Sequence, residues 1–582
     1  MTLVRRVRRI GARLLPASVR AERERRRAEE AAARAIRARN ERIAARRHAL
    51  LESDPAYSVF TVDGAEIVGR ALTSFSSDEA SACNLRTITG VLEYAGIEYF
   101  LVPGRVFTRH TVGVHRSERK RFLEAVRELH DHSALYAARP TRDGVAEYSA
   151  YVDGALPEAI KSGLTIRFAE HMLSPGGRVL ADFDHGCDVE FWRDGATLST
   201  RDNFEEIVQR LRVRVPTDVL TDAMVAPRPN AVGDVLPTEQ RKPAVLTVRG
   251  RDYPTFTHFT HKRIDEVDFP LDVVYTWVDG ADAELAARRA RYLGERPGLA
   301  SHAANASRFT DHEELRYSLR SLRMYAPFVR HVYVVTDGQV PAWLDTSVEG
   351  LTVVDHRDIF TVPDALPVFS SRAIETQLHH IEDLSERYLY LNDDVFFARP
   401  TRAGTFFHAN GIVRVPLSPH QLGVGGPFQE EAAPNWAGKN VRELFHTDFG
   451  RFATQKFKHV PHPQDRSLLR EVEERYREDV ERTARSRFRH PDDVTLATAL
   501  HHNYALLTGR GVPGEYSLRY VDIADEETPE RLADLVERTD VDFVCLNDFA
   551  TPEERREEVA RTVRDFLEVL FPFPTEFERT GS

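Results

Sequence analysis

From Phe269 onward the chain repeats one pattern: a short apolar run, an acidic residue at its end, then a stretch leading to the next run. Asp272–Trp277 (DVVYTW) ends in Val278-Asp279-Gly280, and His331–Val335 ends in Thr336-Asp337-Gly338. Leu351–Val354 ends at Asp355, and Tyr388–Leu391 ends in Asn392-Asp393-Asp394. Between these runs, Thr310–Tyr325 and Arg372–Ser385 carry apolar residues in helical phase: Leu315, Leu319 and Leu322 in the first, Ile374, Leu378 and Ile381 in the second. Thr310 and Glu313 have the spacing of a capping box, and Pro327 would stop the first helix. Strand, helix, strand, helix at this spacing implies a parallel sheet with right-handed crossovers. The expected fold class is α/β with a Rossmann-like parallel sheet.

Ligands of an open α/β sheet bind outside the carboxyl ends of its strands. A single acid such as Asp355 serves equally well as a turn residue or helix cap. The adjacent pair Asp393/Asp394 is harder to explain structurally, because the two carboxylates repel unless a cation or basic group stands between them. Hard oxygen ligands suit Mg²⁺ or Mn²⁺, which keep positions open for phosphate oxygens. A second apolar run, Val544-Cys545-Leu546, closes in Asn547-Asp548 and offers a further metal contributor from a distant part of the chain. The C-terminal third supplies basic groups: Lys458, His459 and His462 around Pro461, then Arg487, Arg489 and His490. A histidine near a metal-bound phosphate can act as general base, and an arginine can hold phosphate oxygens by two bonds. No glycine-rich phosphate loop of the Walker or dinucleotide type and no GxSxG elbow occurs.

The rest of the chain reads differently. Its 582 residues carry a net charge of −11, yet residues 1–50 hold sixteen Arg against five Glu. The acidic body argues against nucleic-acid binding. Residues 1–16 place Leu3, Val4, Val7, Ile10, Leu14 and Leu15 among five arginines, a basic helical face suited to an anionic membrane surface. The segment 1–52 is expected to be a basic helix, 55–240 a mixed α/β accessory region, and 268–582 the catalytic domain. Strands are expected at Tyr57–Val62, Tyr99–Val102 and Asp188–Trp192, and the Pro-rich stretch Pro227–Pro243 reads as a linker. Cys83, Cys187 and Cys545 are far apart and are expected to be inert thiols. With no long apolar run and no secretory signal, the expected location is cytoplasmic, peripheral at the inner face of the plasma membrane.

The blocks DVVYTWVDG (Asp272–Gly280), RFTDHEELRYSLRSLRMYAPFVRHVYVVTDGQVPAWL (from Arg308), FSSRAIETQLHHIEDLSERYLYLNDDVFF (to Phe397), KFKHVPHPQDRS (from Lys456), FRHPDD (from Phe488) and VCLND (to Asp548) resemble the Stealth proteins. These include bacterial capsule hexose-phosphate transferases and the catalytic subunit of the lysosomal-enzyme N-acetylglucosamine phosphotransferase. The resemblance covers roughly 268–550 and does not reach residues 1–240. It implies a GT-A-like fold and transfer of a sugar phosphate: an acceptor hydroxyl attacks the phosphorus that bears the sugar, and a nucleoside monophosphate leaves. It implies Asp279 and Asp393/Asp394 at a metal-pyrophosphate site completed by Asn547 and Asp548, His462 as base, and Arg489 as phosphate ligand. Arg308, Asp311, Glu314 and Arg316 would line the donor site, with Glu375 and His379 as further candidates. UDP-N-acetylglucosamine is the expected donor and a capsule-like or cell-wall glycan the acceptor. Two rivals remain: a conventional glycosyltransferase releasing UDP, which the sheet and the acids fit equally, and a non-catalytic membrane-associated scaffold.

Overall fold

The structure is a computed structural model that describes residues 17–579 except 63, 143, 212–213, 295–308, 429–430 and 432. The chain divides into two compact units, one of Met1–Leu72 with Ala80–Thr260, the other of Thr73–Glu79 with His261–Ser582. Arg308 and residues 1–16 lie outside the described residues.

In the first unit, helix α1 (Ala17–Ser53) is exposed along most of its length. Its last turns are anchored: Leu50 is buried, and the Arg47 guanidinium holds both oxygens of Asp153 at 2.7 and 2.8 Å. An eight-stranded sheet forms the centre of the unit, with Cys187–Asp194 paired parallel to His110–His115 and antiparallel to Thr165–Glu170. A four-stranded sheet begins with the hairpin Tyr57–Val62 and Ala65–Ala71. The Pro-rich stretch 227–243 is more than a linker. Asn230 Oδ1 accepts the N–H groups of Val232 and Gly233, and Val235–Leu236 pairs with the sheet strand Met224–Val225.

The second unit is built on a five-stranded sheet. In chain order its parts are β1 (Leu271–Thr276), α2 (Glu314–Tyr325), β2 (Val329–Thr336), β3 (Leu351–Asp355), α3 (Ser371–Glu375) and β4 (Arg387–Asn392). After the short β5 (Val395–Phe397) come β6 (His462–Asp465), α4 (Arg466–Arg475), α5 (His501–Leu507), β7 (Leu518–Asp522), β8 (Phe543–Asn547) and α6 (Arg556–Leu570). The strand order is β3-β2-β1-β4-β6. The first four pair in parallel, and their buried residues read as continuous apolar runs, as expected of strands covered on both faces. β6 pairs antiparallel to β4, so the sheet is mixed, with one antiparallel edge. β1 and β4 lie side by side although the chain leaves them in opposite directions across the sheet. Their carboxyl ends flank the crevice where such sheets take ligands.

A second sheet, β5-β8-β7, brings the C-terminal part of the chain to the same place. The Leu546 N–H donates to the Asp394 carbonyl at 3.0 Å, which joins β8 to the turn after β4.

Two helices differ from the pattern in the sequence. α2 starts at Glu314, not at Thr310, and no capping box forms. Glu313 is left-handed (φ 68°), the Asp311 carboxylate accepts the Glu313 N–H, and the Glu314 carboxylate accepts the His312 N–H. The acids that would have capped a longer helix fold the loop into the site instead. The stretch Arg372–Ser385 breaks into α3 and a 3₁₀ turn, Leu378–His380. The Arg466 guanidinium holds the segment after α3, donating to the carbonyls of His379, Ile381 and Leu384 at 2.7 to 2.8 Å, in and just after the 3₁₀ turn.

Candidate active site

A cleft of about 570 Å³ opens at the carboxyl ends of β1, β4 and β8. Asn392, Asp393, Asp394, Asn547 and Asp548 line it, with Glu314, Asp337 and Glu375, and so do Lys458, His459, His462 and Arg489. The loop after β1 reaches this position because Gly280 has no side chain: a Cβ there would meet the Phe309 carbonyl oxygen at 2.0 Å. The Gly280 N–H donates to that same oxygen at 2.8 Å.

The acidic wall is strained by its own charge. Burial, then Asp394 and Asp311, push the Asp393 carboxyl far above the usual carboxylate range. Burial, then Asp393 and Asp311, do the same to Glu314. Asp311 is raised chiefly by burial, against hydrogen bonds from the Glu313 N–H and the Trp277 indole (3.2 Å), and it feels the Asp279 carboxylate. Asp394 is raised by burial and partly relieved by His459, whose Nε2 is 3.8 Å from Oδ1, and by the Cys545 thiol, 3.6 Å from Oδ2. Asp394 Oδ1 is buried without a hydrogen-bond partner. Such a set stays charged only when a cation is supplied.

Asp548 is different. Burial alone would raise it, but His312 at 3.7 Å and the Thr551 N–H at 2.8 Å more than offset that and hold it below the usual range. Glu375 faces the cleft from α3, accepts the Tyr390 hydroxyl at 3.3 Å, and is pushed by burial to about 7. On the basic side, Arg489 Nη2 donates to the Ser371 hydroxyl at 3.0 Å, and Lys458 Nζ to the Tyr516 carbonyl at 2.6 Å. Both side chains are thus positioned by neutral acceptors, which leaves their charge for an anion.

Of the residues singled out in the sequence, Asp393, Asp394, Asn547, Asp548, Glu314, Glu375, His462 and Arg489 line one cleft. Asp279 and Asp311 stand behind it, within electrostatic reach of one another. Arg316 and His379 do not join them. Arg316 pairs with Glu578 at 2.6 Å, and the buried His379 pairs with Glu473 at 2.8 Å. Asp355 caps the helix that follows it, in a capping box with Asp358. Asp337 pairs with Arg288 at 2.9 Å and lines the cleft. Sequence reasoning passed over Cys545, taken for an inert thiol, which lies against both Asp394 and His459. It also passed over His501 and His502, for which the only signal was an adjacent pair of histidines in a helix.

Profiles of the four Stealth conserved regions match this chain: region 1 at residues 269–296, region 2 at 308–415, region 3 at 458–506 and region 4 at 534–582. An exopolysaccharide phosphotransferase of Streptomyces coelicolor is 37% identical over 509 residues, covering 85% of this chain and 82% of that one. The chain belongs to the Stealth family. A second S. coelicolor protein of the same name is 36% identical over 87% of this chain and 91% of its own. The exopolysaccharide phosphotransferase CpsY of Mycobacterium tuberculosis is 30% identical over 88% and 91%. Similarity on this scale extends well into the first unit, beyond the 268–550 stretch whose blocks carry the resemblance in the sequence. A crystal structure of the galactosyltransferase LgtC aligns at 13% identity and a TM-score of 0.25, over 52% of this chain and 96% of that one, a score too low to decide the fold. The Stealth protein described here is an enzyme, a phosphotransferase; its conserved regions 2 and 4 supply the residues of the acidic wall, and region 3 supplies Lys458, His459, His462 and Arg489.

Proposed function

We propose that this Stealth enzyme transfers a hexose-1-phosphate from a nucleotide-sugar, UDP-N-acetylglucosamine in the first instance, to a hydroxyl of a glycan in exopolysaccharide synthesis. The observation that carries the reading is the convergence, in one cleft, of a carboxylate set with the groups Lys458, Arg489 and His462. A pyrophosphate needs both kinds of group: a cation on the acids for part of its charge, and the fixed cations Lys458 and Arg489 for the rest.

Mg²⁺ or Mn²⁺ fits the acids. Asp394 has a buried oxygen without a partner, and Asp393 is destabilised by its neighbours in a way that a divalent cation relieves. Asp393 and Asp394 would hold it, with Asn547 close by on β8. Asp548 acts through His312 and Thr551, which fix it in place. When bound, the cation would neutralise phosphate charge. Arg489 and Lys458 bind and orient the phosphoryl oxygens from within the same cleft. The acceptor oxygen forms a bond to the phosphorus that carries the sugar, the bond from that phosphorus to the bridging oxygen breaks, and UMP leaves with that oxygen. The hydroxyl proton passes to a basic group of the cleft. The sheet order β3-β2-β1-β4, with acids after β4, supports a GT-A-like arrangement of the donor.

The test is to incubate the protein with UDP-N-acetylglucosamine, Mg²⁺ or Mn²⁺ and a panel of glycans, and to identify the released nucleotide by mass spectrometry. UMP with a new phosphodiester is expected. UDP with a plain glycosidic product would assign the cleft to ordinary sugar transfer.

A further inference from the structure

Three histidines stand in line behind the cleft. His462 Nδ1, on β6, is 3.1 Å from His502 Nε2. His502 Nδ1 is 3.1 Å from His501 Nδ1. His501 Nε2, at the far end, accepts the backbone N–H of Asp465 at 3.0 Å. All three rings are buried. Burial holds His462 and His502 well below the ordinary histidine range and His501 at about 3, so each ring is neutral.

A neutral imidazole has one N–H and one bare nitrogen. The line therefore has a single consistent polarity, set by the one donor that cannot change, the Asp465 amide. Because His501 Nε2 accepts from that amide, its proton is on Nδ1, which donates to His502 Nδ1. The His502 proton is then on Nε2, which donates to His462 Nδ1. The His462 proton is left on Nε2, the nitrogen not used by His502, on a ring that lines the cleft. The opposite polarity would set the N–H of His501 Nε2 against the N–H of Asp465 at 3.0 Å, leaving two buried donors opposed and unsatisfied.

We propose that His502, His501 and the Asp465 amide fix His462 as a hydrogen-bond donor toward the cleft, so that it binds a phosphoryl oxygen of the donor and does not take the acceptor's proton. The assignment rests on the phosphosugar reading above and departs from the general-base role that the family resemblance implied for His462. His502 and His501 are positioning residues: they touch no substrate and act only through the tautomer of His462.

The ring state is measurable without turnover. In protein labelled with ¹⁵N at histidine, long-range ¹H–¹⁵N correlations distinguish a bare ring nitrogen from a protonated one, and the His462 signals are those lost in His462→Gln. A bare Nδ1 and a protonated Nε2 are expected in the resting enzyme; the reverse pattern overturns the proposal. His501→Phe removes the anchor and is expected to give His462 a mixed pattern, whereas an unchanged pattern would show that the Asp465 amide does not set it. In the UMP-release assay, His462→Gln keeps a side-chain N–H and is expected to retain at least tenfold more kcat than His462→Ala. A general base would lose about 10²–10⁴-fold in both variants alike, and that equality would sink the donor role. Release of UDP would defeat the phosphosugar reading itself, an outcome the ring spectra do not depend on.

Discussion

Asp393 shows at the scale of a residue how the site trades stability for chemistry. Its carboxylate is buried among Asp394 and Asp311 and lacks the counter-charge that it needs when no cation is supplied. Asp393→Asn is expected to raise the melting temperature measured without divalent cation and to cut turnover by about 10²–10³-fold, the usual cost of losing a preorganised electrostatic group. A lowered melting temperature would mean the carboxylate holds the fold together. Glu375 gives a pH signature. Burial raises its carboxyl from the ordinary value to about 7, so between roughly pH 4.5 and 7 the folded state binds more protons than the unfolded one, and this group makes stability fall as pH rises through that window. Glu375→Gln is expected to flatten the fall in urea titrations at pH 5 and pH 7; an identical slope in both proteins would place the carboxyl in a more polar setting. At Gly280, where even a methyl group would strike the Phe309 carbonyl, Gly280→Ala is expected to displace the loop after β1 and reduce UMP release at least tenfold, while the sheet, which lies behind it, keeps its far-ultraviolet circular dichroism.

The elements are tied to the site from the C-terminal end of the chain. α2 is buried on almost every side, and its Arg320, only 4% exposed, is held by two bonds to Glu578 at 2.8 Å each, beside Glu568 on α6. Arg316 shares the same carboxylate. Removing Glu578 leaves the Arg320 guanidinium with Glu568, at 3.1 Å, as its remaining carboxylate, which costs about 1–3 kcal/mol. Glu578→Ala is expected to lower the denaturation midpoint accordingly without changing the nucleotide released, and an unchanged midpoint would show that solvent reaches Arg320. The helical spacing of Thr310–Tyr325 was legible in the sequence, but its start was not. Asp311 and Glu314 bind loop amides rather than extend the helix, because the Trp277 indole and the left-handed Glu313 hold the loop in place. Likewise the segment after α3 is held out of a continuous helix where Arg466, almost a hundred residues later, takes the carbonyls of His379, Ile381 and Leu384.

The whole molecule joins the unit that carries the four Stealth regions to a first unit with its own sheets and its own buried core. No helix among the described residues is long and apolar enough to cross a membrane. If the basic, apolar-striped residues 1–16 dock on an anionic surface, then deleting them should abolish co-sedimentation with phosphatidylglycerol vesicles at low salt, and binding that persists would assign the attraction to another part of the chain.

The sequence by itself determined the strands of the second unit and the acids that close them. Both are local facts: an apolar run buries itself in a sheet, and a charged residue marks where the run must end. It also determined the family, because the blocks are long and ordered. Only the tertiary structure decided which of those acids share a cleft. Asp393 and Asp548 are far apart in the chain and meet because β8 docks on the turn after β4; Asp337, paired with Arg288, lines the same cleft, whereas Asp355, read from the same pattern, is spent on a helix cap. The proton on His462 is further still from the sequence. It depends on two rings and one amide whose order in space follows from β6 packing against α5, and a hydrogen-bond chain has a direction only once its last partner is in place.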